Sequence, residues 1–108
     1  MYQLSDYRVK YAVIDNATSG DNTLVAAVAG KKISVLQVFL ISAGTITVRF
    51  ESGASGTALT GQMNLVANTG FVLPFSGVSW FETSVNTLLN LELSDAVSAD
   101  GCLAYVEI

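Results

Sequence analysis

The sequence contains very little of the material from which catalytic and metal sites are built. Its 108 residues include no histidine, a single cysteine, Cys102, and only 13% charged residues. General acid–base, nucleophilic and metal sites are usually assembled from histidine, cysteine and clustered carboxylates. Hydroxyl side chains are abundant, but the histidine that usually activates them as nucleophiles is missing. We therefore expect a non-enzymatic protein with no cofactor and no bound metal.

Other absences limit the compartment and the partners. One cysteine cannot close an intrachain disulfide, which is typical of proteins made in a reducing cytoplasm, and we expect Cys102 to lie in the core. The N-terminal residues show neither a basic leader nor the apolar segment of a signal peptide, and the longest apolar stretch is far shorter than the roughly 20 residues of a membrane helix. The net charge is −4, and all five basic residues lie in the first half of the chain. Neither a membrane nor a nucleic acid is an expected partner.

What the chain does have is apolar residues, 51% of the total, which recur at the two-residue period of β-strands. Clusters of Gly, Asn, Asp and Ser separate the strand-like segments at short spacing. We predict strands at 7–13, 23–28, 32–42, 45–51, 58–66, 71–75, 89–93 and 102–108. This pattern indicates a single all-β domain that spans residues 1–108. We expect an antiparallel β-sandwich, and we expect jelly-roll topology in preference to immunoglobulin-like topology.

The predicted strand at 32–42 is apolar on both of its alternating faces. One set is Leu36, Val38 and Leu40, and the other is Val35, Phe39 and Ile41. Strands of this kind are normally covered on both sides. In a chain this short, we expect another subunit to supply the second cover.

The one aromatic concentration comprises Pro74, Phe75, Trp80 and Phe81. Such residues are enriched both in cores and in the buried centres of interfaces. The core is the default interpretation, and a subunit interface or a sugar-stacking platform are the alternatives.

Acidic loops invite a metal interpretation that the spacing does not support. The loop 15–22 is rich in oxygen ligands, but Ala17 and Ala26 occupy the third and twelfth positions, where an EF-hand needs ligands. We interpret this loop as a plain turn, and Asp95 and Asp100 as solvated turn acids.

From about Lys31 onwards the chain resembles capsid decoration (cement) proteins of tailed bacteriophages, which are small β-sandwiches. The segments that carry the resemblance are GKKISVLQVFLIS, TVRFESG, ALTGQMNLVANTGFVLPF, SWFET, LNLELSDA and LAYVEI. The resemblance implies a homotrimer on the outer surface of the virion head that reinforces contacts among major capsid proteins. Similar small sandwiches are attached to phage fibres and tail tips, so a receptor- or glycan-binding domain, with Trp80 or Tyr105 stacking on a sugar, is the alternative.

Two sets of residues are candidates for these contacts. The expected subunit contacts are Val35, Phe39, Ile41, Trp80 and Phe81. The expected capsid-docking residues form an N-terminal arm made of Met1, Tyr2, Gln3, Leu4, Ser5 and Asp6.

Overall fold

The structure, a computed structural model, describes residues 7–108, which form ten β-strands and no helix. The strands are β1 (Lys10–Asn16), β2 (Gly20–Val25), β3 (Ile33–Ser42), β4 (Ile46–Ser52), β5 (Thr57–Ala58), β6 (Met63–Leu65), β7 (Thr69–Leu73), β8 (Phe81–Glu82), β9 (Leu89–Leu93) and β10 (Ala99–Glu107). In this part of the chain no helix exists that is long and apolar enough to cross a membrane.

The strands form two antiparallel sheets that pack as a β-sandwich, as predicted. Sheet A has the order β1-β10-β3-β7, with β8 also paired to β3. Sheet B has the order β2-β9-β4-β5, with β6 also paired to β4. The pairs are nested along the chain, β1 with β10, β2 with β9, β3 with β7 and β8, and β4 with β5 and β6. This nesting is the topology of a jelly roll.

The core lies between the sheets and is built from the alternating apolar residues of the long strands. In sheet B, Val48 pairs with Leu93 and Phe50 pairs with Leu91, and all four are buried. The Phe50 ring packs on Phe81 of sheet A, with ring centroids 4.9 Å apart. Burial of side chains this size contributes about 1.5–3 kcal/mol each, which is the main force holding the two sheets together.

A β-bulge in β3 decides which side chains enter this core. Ala104 pairs with Gln37 whereas Tyr105 pairs with Val35, so Leu36 is an extra residue on β3. Because side chains alternate between faces, one extra residue reverses the alternation beyond it. Val38 and Leu40 therefore point inward after the bulge, and Val35 points inward before it. The predicted grouping of Val35 with Phe39 and Ile41 on one face is wrong for this reason.

Two glycines allow close approach of the backbone on either side of β3. A Cβ atom on Gly101 would lie 1.9 Å from the carbonyl oxygen of Phe39, and one on Gly70 would lie 1.8 Å from that of Leu40. No side chain fits at such distances, because the obstacle is main chain. These positions accept only glycine in this sheet.

The strand boundaries differ from the sequence prediction mainly in the polar stretches. The loop predicted at 15–22 shrinks to the residues between β1 and β2, because both strands extend into it. The strand predicted at 58–66 is divided into β5 and β6, on either side of Gly61. The prediction for β9 was confirmed residue for residue.

Candidate binding surface

The outward face of sheet A carries a row of apolar side chains that the chain itself does not cover. Val13 of β1 lies opposite Cys102 of β10, Cys102 lies opposite Phe39 of β3, and Phe39 lies opposite Val72 of β7. Directly opposed residues in antiparallel strands share a face, so these four side chains form one row, the central row. Val13 is 76% exposed, Val72 69% and Phe39 48%.

The rows on either side complete the surface. One contains Tyr11, Ala104 and Gln37, and the other contains Asp15, Asp100, Ile41 and Gly70. We define the outer patch as the exposed apolar residues of the three rows together with the cysteine between them: Tyr11, Val13, Phe39, Ile41, Val72 and Cys102. Four strands about 4.8 Å apart and three rows about 6.8 Å apart span roughly 400 Å², and the outer patch is the apolar part of that area. Exposed apolar side chains that adjoin one another in this way are typical of interaction surfaces.

Two carboxylates mark the polar border of the outer patch. Asp15 and Asp100 are directly opposed on β1 and β10. Burial raises the pKa of Asp100 above its usual value, and a hydrogen bond and charge repulsion from Asp15 act in the same direction. This end of sheet A is therefore acidic and polar, in contrast to the central row.

The predicted subunit contacts fall in three different environments. Phe39 and Ile41 lie in the outer patch. Val35 has no exposed surface and lies in the core, so it has no side-chain surface to offer a partner. Phe81 is partly buried against Phe50, whereas Trp80 is 44% exposed and its Nε1 donates to the carbonyl oxygen of Pro74 at 2.9 Å.

Three further expectations meet different outcomes. Cys102 was expected in the core, but its register places it in the central row, where it is partly buried. Tyr105 is buried in the core cluster, so it cannot stack on a sugar. The docking arm, Met1 to Asp6, lies outside the described residues.

A second polar cluster lies on sheet B and was missed by sequence reasoning. Carboxylate oxygens of Asp21, Glu51 and Glu92 lie within 4.8 Å of one another. Glu51 is buried, and Arg49 donates to its Oε2 through both Nε, at 2.9 Å, and Nη2. Asn90 Nδ2 donates to Asp21 Oδ1 and to Glu51 Oε1, at 2.8 Å each. The sequence signal is weak because these residues come from three separate strands, and only the register joins them.

The titration of this cluster follows from its contacts. Hydrogen bonds donated by the Ser55 hydroxyl and backbone N–H lower the pKa of Asp21. Burial raises the pKa of Glu92, and a hydrogen bond with Asp21 and repulsion from Glu51 add to this effect. The buried carboxylate already has cationic and amide partners inside the chain, which explains the cluster as a polar network that ties β2, β4 and β9 together.

Comparisons with known proteins identify the fold and no family. No family model matches the chain, and the search of curated proteins gives no significant match. Among solved structures, a chain of the cyanophage Pam1 capsid asymmetric unit is similar, with a TM-score of 0.53 and 18% identity, over 93% of this chain and 85% of that chain. A chain of the infectious bursal disease virus Gx strain structure has a TM-score of 0.42 and 19% identity over 93% of this chain, which spans 33% of that chain.

Proposed function

We propose that this protein is a structural component of a virion, a homotrimeric decoration protein that binds the outer surface of the head and stabilises the lattice of major capsid proteins. The observation that carries the proposal is the outer patch, because an apolar surface of this size on a small jelly roll is suited to burial against protein. The likeness of the fold to a chain of a phage capsid structure supports it. The segments that resemble cement proteins point in the same direction.

The proposed action is mechanical and needs no catalytic residue. Each bound copy buries surface that is exposed in the free protein. Because the copies bind the assembled shell and not its separated subunits, binding stabilises the shell by mass action. A stable interface buries about 800 Å² per partner, more than twice the area of the outer patch. The outer patch therefore accounts for part of a subunit contact, and the edges of sheet A and Trp80 must supply the rest. Met1 to Asp6 are proposed to dock on the capsid.

The test uses the purified protein and heads of the encoding phage assembled without it. We expect a trimeric mass by light scattering, and saturable binding to expanded heads that raises the temperature at which they rupture. A variant lacking residues 1–6 should remain trimeric and lose binding to heads. A monomeric protein that leaves heads unchanged would contradict the proposal.

A fibre or tail-tip domain that binds glycan is the second candidate, and the exposure of Trp80 is the observation that favours it. A glycan array separates the two candidates. Hits that Trp80→Ala removes, together with absence of binding to heads, would replace the first proposal by the second.

A further inference from the structure

We infer that β1 of one copy pairs with β7 of the next copy, so that sheet A continues from subunit to subunit around the trimer. The inference rests on the proposed function, from which the threefold arrangement is taken. A contact that uses the same surface on both partners closes at two copies, whereas a ring of three needs two different, complementary surfaces on each chain. Sheet A has two such surfaces, because among residues 7–108 its path of paired strands ends at β1 on one side and at β7 on the other.

The backbone of β1 has hydrogen-bonding groups directed at its outer edge. Ala43 N donates to Ser98 O, so this opposed pair of residues is hydrogen-bonded. Bonded and non-bonded pairs alternate in antiparallel ladders, so the β10 residues Asp100, Cys102 and Ala104 bond to β3. The alternate residues of β10, which are Ala99, Gly101 and Leu103, bond to β1, where their partners are Asn16, Ile14 and Ala12. Tyr11, Val13 and Asp15 therefore direct their N–H and C=O groups away from β10.

The same alternation describes β7. The residues of β3 that bond to β10 are Phe39 and Ile41, so Leu40 and its alternate neighbours bond to β7. Leu40 lies opposite Phe71, and the β7 residues on either side, Gly70 and Val72, direct their N–H and C=O groups to the outer edge. Pro74 follows, and because it has no N–H it ends the row of donors.

The edges at β1 and β7 run in opposite directions, direct the side chains of Val13 and Val72 to the same face of sheet A, and carry these two valines in the same row. Three successive antiparallel pairings separate β1 from β7, so the two strands run in opposite directions. Val13 and Val72 both belong to the central row, and both have outward-directed backbone groups. Rotation of a copy about an axis parallel to the strands brings Val13 opposite Val72 as a hydrogen-bonded antiparallel pair. Of the two ways in which such a ring can curve, we infer the one that turns the outer patches, including Phe39 and Ile41, towards the threefold axis, because it buries their apolar surface.

The charges near the N-terminal end of β1 agree with this pairing. Val106 lies opposite Ser34, and Ser34 lies opposite Glu82 of β8, so Glu82 is level with the start of β1. Arg8 is exposed two residues before β1 begins, and among the described residues no ion pair includes it. Glu82 is held by two long contacts, with Lys32 Nζ at 3.4 Å from Oε1 and with the Ser34 hydroxyl, which donates to Oε2 at 3.4 Å. The paired edges bring Arg8 of one copy to the same end of the contact as the carboxylate of Glu82 in the next copy, within reach of the long arginine side chain.

Engineered cysteines test the pairing. In a Cys102→Ser background, Val13→Cys and Val72→Cys are introduced singly and together. Cα atoms of a hydrogen-bonded antiparallel pair are about 5.5 Å apart, within the range that a disulfide spans. We expect covalent trimers on a non-reducing gel from the double variant and monomers from each single variant. Covalent dimers from Val13→Cys alone would show a twofold β1–β1 contact and overturn the inference.

Lysine substitutions on the edges give a second readout that does not depend on oxidation. Val13→Lys and Val72→Lys should each shift the wild-type trimer to monomer in light scattering, with unchanged circular dichroism. Val66→Lys, at a valine that is also exposed but lies beyond β6 of sheet B, should remain trimeric. Arg8→Glu should weaken the trimer, and Arg8→Glu combined with Glu82→Arg should restore it.

The outcomes separate the two proposals. A trimer that neither the cysteines cross-link nor the lysines dissociate refutes the edge pairing and leaves the decoration function intact. A wild-type protein that is monomeric at all concentrations refutes the edge pairing, and one that also leaves heads unchanged refutes the decoration function as well.

Discussion

The matched substitutions Val35→Ala and Phe39→Ala test the consequence of the β3 bulge. The two residues are four positions apart on one strand, yet Val35 is fully buried and Phe39 is half exposed. Val35→Ala removes two buried methyl groups, worth about 1.6 kcal/mol, and leaves a cavity of roughly 50 Å³ that adds about 1 kcal/mol. We expect a loss of about 2–3 kcal/mol out of a total stability of about 5–15 kcal/mol.

Phe39→Ala should behave in the opposite way. About half of its side chain is exposed and its removal leaves no enclosed cavity, so the stability of the isolated chain should fall by about 1 kcal/mol, less than for Val35→Ala. The subunit contact should weaken instead, because the substitution removes a large apolar side chain from the outer patch. Binding between copies makes apparent stability depend on concentration. The loss of apparent stability caused by Phe39→Ala, relative to the wild type, should therefore grow with protein concentration, whereas the loss caused by Val35→Ala should not.

The assay is urea unfolding at two protein concentrations, combined with light scattering on the same samples. Val66→Ala is the matched control, because this valine is exposed and lies outside sheet A. The reasoning is refuted if Val35→Ala unfolds like the wild type, or if Phe39→Ala costs 2 kcal/mol or more in dilute solution where the protein is monomeric.

Gly101→Ala should lower the free energy of unfolding by at least about 2 kcal/mol in urea titrations, because the added Cβ would clash with the Phe39 carbonyl. At Gly61 an added Cβ has no atom within 4 Å, so Gly61→Ala should leave the free energy of unfolding unchanged. Equal effects of the two substitutions would contradict the close approach at Gly101. Phe81→Ala should lower the melting temperature even in dilute monomeric solution, since its ring packs on the core, and an effect seen only on association would place Phe81 at the interface. For Glu92, the folded-state pKa is raised, so the folded chain holds a proton more tightly and stability declines as pH rises from 4.5 through the raised value. Glu92→Gln should remove that decline in melting temperature. If the melting temperatures of variant and wild type changed in parallel with pH, Glu92 would not be the cause of the decline.

The alternation of apolar residues along the chain was sufficient to predict the sandwich and most of its strands. Leu89, Leu91 and Leu93 are separated by polar residues, and this period is typical of a strand that packs one face against a core. The positions at which strands end were less predictable, because Gly and Ser are compatible with both a turn and a weak strand. The division of 58–66 into two short strands depends on how each half pairs with β4, which is not a local property.

The candidate surface was predictable only in part. Phe39 and Ile41 were identified because a strand that is apolar on both faces needs two covers. Val35 was assigned to the same face because a bulge leaves no mark in the alternation itself. Tyr11, Val13 and Val72 were not singled out, since a side chain on an edge strand looks the same in sequence whether it faces the core or the solvent.

Periodicity and composition were enough to establish the class of fold and the scarcity of catalytic groups, because both are properties of the chain that do not depend on its contacts. Which apolar residues remain exposed, and which carboxylates meet, became known from the folded chain. Both depend on register, and register brings together residues far apart in the chain, as when Val13 lines up with Cys102, Phe39 and Val72 in one row.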